Sequence, residues 1–302
     1  MIYNKWKILN ELHKKTSVFN YRNIIECLAL LENKKKVMRL VINDSVSKLI
    51  ISSIEKLGLV AACSTLRLKT SYKTNLGDVY TKLANRDDPE ANEFIIMVAS
   101  DINIAKYAIN IEDHGNDPSK LGVLLGYPEC CVSAYEQISE QIDWLTVFLS
   151  NTPRRSVYPF GANRMAYLFG EKSLFFDYFP CGLTCEATCN LSRQMASVLE
   201  KYQLSDLLIN IKSEMMTPIL IRKGVIVFFR NAIYEADKQT LIYDLSKAGL
   251  HGWKVIPGAD SDFVWDSNRL TRIGNSLFFY HNEKYQGQFE EEALNNRLFI
   301  FE

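Results

Sequence analysis

Glu93-Phe-Ile-Ile-Met-Val-Ala99, followed at once by Ser100-Asp101 and the run from Ile102 to Glu112, decides the fold class. An unbroken apolar run of this length, bounded by polar residues, predicts a buried strand. Ser100-Asp101 then caps a helix, a side-chain oxygen accepting from a first-turn amide that has no partner inside the helix. His114-Gly115 closes it. Upstream the same grammar repeats. Tyr21 to Glu32 carries apolar residues at helical spacing and Val37 to Asn43 suits a short strand. Asp44 or Ser45 caps Val46 to Leu57 with Gly58 at the stop, and Leu59 to Leu68 reads as another strand. Strand, helix, strand at this spacing predicts a βαβ-like unit or its α+β equivalent. Thr70 to Asn92 reads as a polar connection around one short helix.

Downstream, Asp117-Pro118 pairs a cap with proline at the first helical position, starting Ser119 to Leu125, and Gly126 stops it. Pro128 opens a further helix, Glu129 to Ile138. An aromatic connection from Trp144 to Pro159 leads to a helix from Gly161 to Phe169 and a turn at Gly170. Cys185 to Tyr202 has the pattern of one long amphipathic helix. The final third is β-rich, with runs at Ile219–Ile221, Val225–Phe229, Leu241–Tyr243, Trp253–Ile256 and Leu277–Tyr280. The expectation is an α/β or α+β chain whose helix-rich N-terminal two-thirds surround a small sheet, followed by a β-rich C-terminal part. A boundary near Met215 to Pro218 divides residues 1–215, carrying the cysteine site, from a subdomain at 216–302.

With 302 residues, 47% of them hydrophobic, the chain can bury a sizeable core. Lys+Arg and Asp+Glu are equal at 35 each, so its overall field gives no pull toward nucleic acid or an anionic membrane. Met1 to His13 interleaves charges with apolar residues and lacks the apolar core of a secretory signal. No run is long and apolar enough for a bilayer. The reading is a cytoplasmic protein without a membrane partner, in a compartment that keeps thiols reduced.

That compartment gives the seven cysteines their meaning. Four fall in two tight groups, Gly126-Tyr-Pro-Glu-Cys-Cys131 and Phe179-Pro-Cys-Gly-Leu-Thr-Cys185, which points to metal or redox chemistry before disulfides. Cys130 and Cys131 fall in a helix's first turn, where unpaired amides favour thiolate. Side chains of adjacent helical residues point about 100° apart, so one of the two is expected to face the site and the other to pack. Cys181 lies in the loop after Pro180 and Cys185 begins the next helix. Three thiolates, Cys131 (or Cys130), Cys181 and Cys185, suit a [4Fe–4S] cluster with one iron open, or a zinc ion completed by His114 or water. The spacing fits neither a zinc ribbon nor a ferredoxin run. Cys27 and Cys63, each on an apolar face, are expected to pack as small hydrophobes; Cys189 continues the stripe begun by Cys181 and Cys185.

The run from Leu121 through Gly-Tyr-Pro-Glu-Cys-Cys131 to Tyr135, then Asn163, then Phe179-Pro-Cys-Gly-Leu-Thr-Cys-Glu-Ala-Thr188, resembles an uncharacterised prokaryotic family of unknown function. That family is marked by G-Y-P-x-C-C and P-C-x-x-x-C-x-x-[ST], and the likeness covers roughly Phe94 to Leu199. It implies a common site at Cys130, Cys131, Asn163, Cys181 and Cys185, with Thr188 as a companion on the helix face. The family pattern has histidine where this chain has Tyr178, which weakens any role requiring an imidazole there.

Three functions follow as expectations. The first is an iron–sulfur enzyme of biosynthesis, holding its cluster on Cys131, Cys181 and Cys185, with Cys130, Asn163 and Tyr127 at the catalytic end. It would do redox or sulfur-transfer chemistry on a small molecule, peptide or nucleotide. The second is a module with structural zinc, or no metal, that binds a partner protein. The third is a metal-free enzyme using the vicinal thiols, one as nucleophile and one resolving.

Overall fold

The computed structural model describes residues 2–16, 19–73, 79–84, 88–138, 144–163, 165, 175–222, 225–244, 249–252, 267–291 and 297–302. The fold is mixed α/β, and the chain divides into two compact units. One comprises 1–136, 174–178 and 190–209; the other 137–173, 179–189 and 210–302.

The first unit runs α1 (Ile2–Lys15), α2 (Tyr21–Leu31), β1 (Val37–Asn43), α3 (Asp44–Lys56), β2 (Val60–Cys63), β3 (Arg67–Lys73), β4 (Val79–Ala84), β5 (Glu93–Ala99), α4 (Ile102–His114), α5 (Pro118–Leu124) and α6 (Glu129–Tyr135). The apolar run read first from the sequence is the central strand. β5 pairs antiparallel with β1 along one side and with β2, then β3, along the other. Two strands antiparallel to a common neighbour are parallel to each other, so β1–α3–β2 is a βαβ crossover split by a strand that arrives later in the chain. β5 is buried along nearly its whole length because both faces are covered. Val37, Ile95 and Met97 pack with Ala105, Ala108 and Ile109 of α4. On the opposite face Met38 Sδ meets the Cys27 Sγ of α2 at 3.5 Å.

Two expectations change here. Leu59 to Leu68 is not one strand: it breaks at Ser64–Leu66, where Asp113 at the end of α4 accepts from the Ser64 hydroxyl and from both the amide (3.0 Å) and hydroxyl (2.9 Å) of Thr65. In place of a polar connection with a short helix, β3 and β4 form an antiparallel hairpin. Its residues read as polar because the hairpin lacks a simple apolar alternation, yet Thr, Tyr and Val there favour strand.

The second unit begins with α7 (Trp144–Ser150), where the sequence suggested only a connection, and a 3₁₀ turn at Phe160–Ala162. The rest of the expected Gly161–Phe169 helix, apart from Asn163 and Met165, and the turn at Gly170 lie outside the described residues, as does the expected strand Trp253–Ile256. α8 (Glu186–Lys201) and α9 (Ser205–Met215) follow the cysteine loop, with only 186–189 of α8 and 210–215 of α9 in the second unit, then β6 (Ile219–Arg222), β7 (Val225–Phe228), β8 (Ile233–Glu235), β9 (Thr240–Ile242), β10 (Gly249–Gly252), β11 (Arg269–Ile273), β12 (Ser276–His281), β13 (Lys284–Glu290) and β14 (Arg297–Phe299). These strands make two antiparallel sheets, β10-β7-β6-β14 and β13-β12-β11-β9-β8. Leu220, Val227 and Leu298 of the first pack against Leu241, Leu270 and Phe279 of the second. The alternate residues Ile219, Ile226, Phe228 and Phe299 face the other way, onto Phe148 of α7 and Leu183. Among the described residues no helix is long and apolar enough to cross a membrane.

Arg297 anchors α7 from β14. It is 3% exposed, and its guanidinium donates to the carbonyls of Leu149 (3.2 Å) and Thr152 (3.1 Å) and to the Tyr158 hydroxyl (3.0 Å). A cation at the helix end opposes the negative end of the dipole and supplies the Thr152 carbonyl with donors, while the Leu149 carbonyl also accepts from the Thr152 amide at 3.1 Å. Arg297→Met strips the buried Thr152 carbonyl of its donors and takes one donor each from the Leu149 carbonyl and the Tyr158 hydroxyl. We expect it to lower stability by roughly 3 kcal/mol or more, and Arg297→Lys to recover only part of the loss because an ammonium cannot reproduce the planar fork; urea unfolding of the three proteins checks this.

Candidate metal centre

Two short segments carry the sulfurs, and each is locked locally. In the first, α5 ends at Gly126 in a left-handed conformation (φ 82°), and the Tyr127 amide donates to the Gly122 carbonyl at 2.9 Å, a Schellman-type stop. Pro128 then serves as the N-cap of α6, one position earlier than expected. Its carbonyl accepts from the amides of Cys131 (2.8 Å) and Val132 (3.0 Å). A Cβ on Gly122 would lie 3.0 Å from Val132 Cγ2 and 3.4 Å from Tyr127 Cδ2, so the absent side chain lets α5 approach α6 closely. Cys130 is exposed and Cys131 buried.

In the second segment, Leu183 is 1% exposed in the apolar cluster under the β6-β7-β14 sheet, and its amide donates to Thr152 Oγ1 at 3.0 Å. The Thr152 hydroxyl in turn donates to the Phe148 carbonyl at 2.6 Å. Gly182 lies so close to α7's end that a Cβ would stand 2.8 Å from the Asn151 carbonyl oxygen. Cys185 is at the N-cap position of α8, its carbonyl accepting from the Cys189 amide at 3.0 Å. The fully buried Thr188, one turn in, donates its hydroxyl to Cys185 Sγ at 3.2 Å.

The sulfurs of Cys130, Cys131, Cys181 and Cys185 all lie within 4.8 Å of one another, a set that can hold a metal ion. Both vicinal sulfurs belong to it, 3.9 Å apart; the expected split, with one facing the site and the other packing, is not what the first turn of α6 shows. The aromatic rings just upstream echo this convergence. Tyr127 and Tyr178, each three residues before a cysteine of the set, lie with ring centroids 4.8 Å apart.

Other candidates fall elsewhere. His114 is exposed and hydrogen-bonded through Nδ1 to the Asn110 carbonyl at 2.8 Å, outside the sulfur set. Asn163 is fully buried and donates to the Met215 carbonyl at 2.6 Å, a tie within its own unit. Cys189 is outside the set. Cys27 is buried, and that burial pushes its thiol pKa well up, whereas Cys63, expected to pack, is exposed at the end of β2. The sequence reading passed over Gly182, Thr152 and the Glu26–Lys35 pair of the first unit. Glu26 did leave a signal, a lone carboxylate amid the apolar run Ile24 to Leu31.

No family model, curated protein or solved structure matches the chain.

Tyr127 carries the clearest electrostatic signature. Tyr127 is half-buried, and this burial, with further contributions from Asp177 and Glu26, raises its pKa well above the ordinary phenol value; the hydroxyl donates to Asp177. Above about pH 10 the unfolded chain loses this proton while the folded one keeps it, so the group's contribution to stability falls as pH rises. Tyr127→Phe should flatten the decline of stability in that range, read from urea midpoints at a series of alkaline pH values. Gly182→Ala, which drives a Cβ into backbone, should cost about 1–3 kcal/mol, visible as a lowered melting temperature.

Proposed function

We propose that Cys130, Cys131, Cys181 and Cys185 form a four-thiolate metal centre, and that a single tetrahedral ion, zinc or iron, is its occupant. The observation carrying this reading is the mutual distance. Four sulfurs at about 2.3 Å from one tetrahedral ion stand about 3.8 Å apart, close to the 3.9 Å between Cys130 and Cys131. A four-iron cluster needs room for its own iron and sulfide between the thiolates, so it would require the set to open beyond its 4.8 Å spread. The iron–sulfur expectation also rested on three ligands and a vacancy, and Cys130 supplies a fourth.

The burial pattern supports a division of labour within the set. Cys131 and Cys185 are 2% and 7% exposed, whereas Cys130 is open to solvent. Cys130 is therefore the ligand that an incoming reagent reaches first. Redox or sulfur-transfer chemistry on a small molecule, peptide or nucleotide, if this centre performs it, acts through that position, with Tyr127 behind it in sequence. The Thr188 hydroxyl bonded to Cys185 orients a ligand that solvent does not reach. The family that the two cysteine motifs resemble would share this centre.

Protein prepared without oxygen should carry about one equivalent of zinc or iron and no acid-labile sulfide. Four irons with four sulfides per chain would replace the single-ion reading with the cluster, and absence of any metal would leave the thiols alone. Thr188→Val should weaken the metal by roughly 10–100-fold, the usual scale for a partner of a metal ligand, measured by competition with a chromogenic chelator. Cys131→Ser should bind more weakly than Cys130→Ser.

A further inference from the structure

The four sulfurs of the proposed centre differ in what can reach them. Cys130 is exposed and Cys181 half-buried, whereas Cys131 and Cys185 are 2% and 7% exposed. Each segment thus offers one accessible cysteine and one buried companion. The two accessible sulfurs lie within 4.8 Å of each other and of the buried pair. The buried cysteines are also tied down. The Cys131 amide donates to the Pro128 carbonyl at 2.8 Å, and Cys185 Sγ accepts the Thr188 hydroxyl at 3.2 Å. A donor on a thiolate stabilises its charge and lowers its nucleophilicity.

These differences single out one pair for oxidation. Coordination keeps a thiol deprotonated, and the thiolate is the form that attacks an oxidant. Among thiolates, susceptibility follows exposure, which puts Cys130 first. Its partner is not Cys131. Consecutive Cα atoms stand about 3.8 Å apart, short of the roughly 4.4 Å that an unstrained disulfide needs, so a vicinal bridge would distort the peptide inside the first turn of α6. Nor is it Cys185, shielded from solvent and held by Thr188. Cys181, in the loop ahead of α8, is both close and accessible.

From this geometry we propose that a hydroperoxide joins Cys130 to Cys181 and that the new bond releases the ion, making the centre a reversible oxidation switch. The inference rests on the four-thiolate reading above. The Cys130 thiolate attacks one oxygen of hydrogen peroxide; an S–O bond forms, the O–O bond breaks and hydroxide leaves. The Cys181 thiolate then attacks the Cys130 sulfur; an S–S bond forms, the S–O bond breaks and a second hydroxide leaves. Two thiolates have given up two electrons and the peroxide has taken both. Half of the ligand set is consumed, and the two thiolates left, Cys131 and Cys185, do not complete a tetrahedral site. Reduction returns all four thiolates side by side, because the bridge has kept the two segments together.

The test uses the full reduced chain, prepared without oxygen and reconstituted with zinc, which has no redox chemistry of its own. A chain that takes up no zinc at this stage fails the metal reading, and the switch with it. Roughly one equivalent of hydrogen peroxide is then added to the loaded protein beside a chromogenic zinc indicator, and the remaining thiols are alkylated for peptide mapping. About one zinc should be freed for each peroxide consumed, with Cys130 found joined to Cys181, and dithiothreitol should restore zinc binding. Cys130→Ser, loaded likewise, should release its zinc at least about tenfold more slowly. Zinc retained by a chain that carries the disulfide, a bridge between any other pair, Cys130 halted at the sulfinic acid, or unchanged release from Cys130→Ser overturns the switch and leaves the metal centre standing. If that variant does not fold or load, the wild-type bridge and the fate of its zinc decide.

Discussion

Four sulfurs within 4.8 Å of one another cannot all be thiolates without a counter-charge. At about 4 Å and an effective dielectric constant near 20, each close pair of like charges repels by about 4 kcal/mol. Protons or a cation must offset that charge, and a divalent ion cancels half of it while holding each sulfur by a bond. The Thr188 hydroxyl offers one sulfur a donor, but a single neutral hydrogen bond is small beside the repulsion it would have to offset.

The scaffold reflects that load. Neither cysteine segment relies on long-range packing alone. The Gly-Tyr-Pro turn is set by a left-handed glycine and by Gly122 admitting Val132 and Tyr127 at van der Waals range. The second segment is held by Leu183 sunk in an apolar cluster, by its amide on Thr152, and by a glycine too close to backbone to carry a side chain. Arg297 fixes the end of α7 on which Thr152 sits. A chain of short-range contacts thus leads from a β-strand core to the sulfur of Cys185, and each link is a hydrogen bond or a packed side chain that tolerates little displacement.

Much of this was legible in the residues, for particular reasons. Glu93 to Ala99 announced itself because a strand covered on both faces needs no alternation, and α4 did so because Asp101 and Gly115 mark its ends by cap chemistry. The cysteine groups stood out by spacing. The β3–β4 hairpin was missed because its strands carry mixed polar residues, and α7 because its aromatic and aliphatic residues were read as connection. The break at Ser64 depends on Asp113, some fifty residues away, and no local signal encodes such a contact. The joint presence of Cys130 and Cys131 was likewise hidden, since ideal helix geometry separates neighbours that a first turn can bring together.

The spacing along the chain has a thermodynamic consequence of its own. Cys131 and Cys181 are fifty positions apart, so an ion gripping both acts on the denatured ensemble much as a covalent cross-link does. Forbidding a loop of that length its open conformations is worth about 4 kcal/mol in the chain-entropy picture. An atom small enough to sit among four sulfurs would then govern the freedom of a sixth of the polypeptide, and chelation would be felt first as slack in that loop.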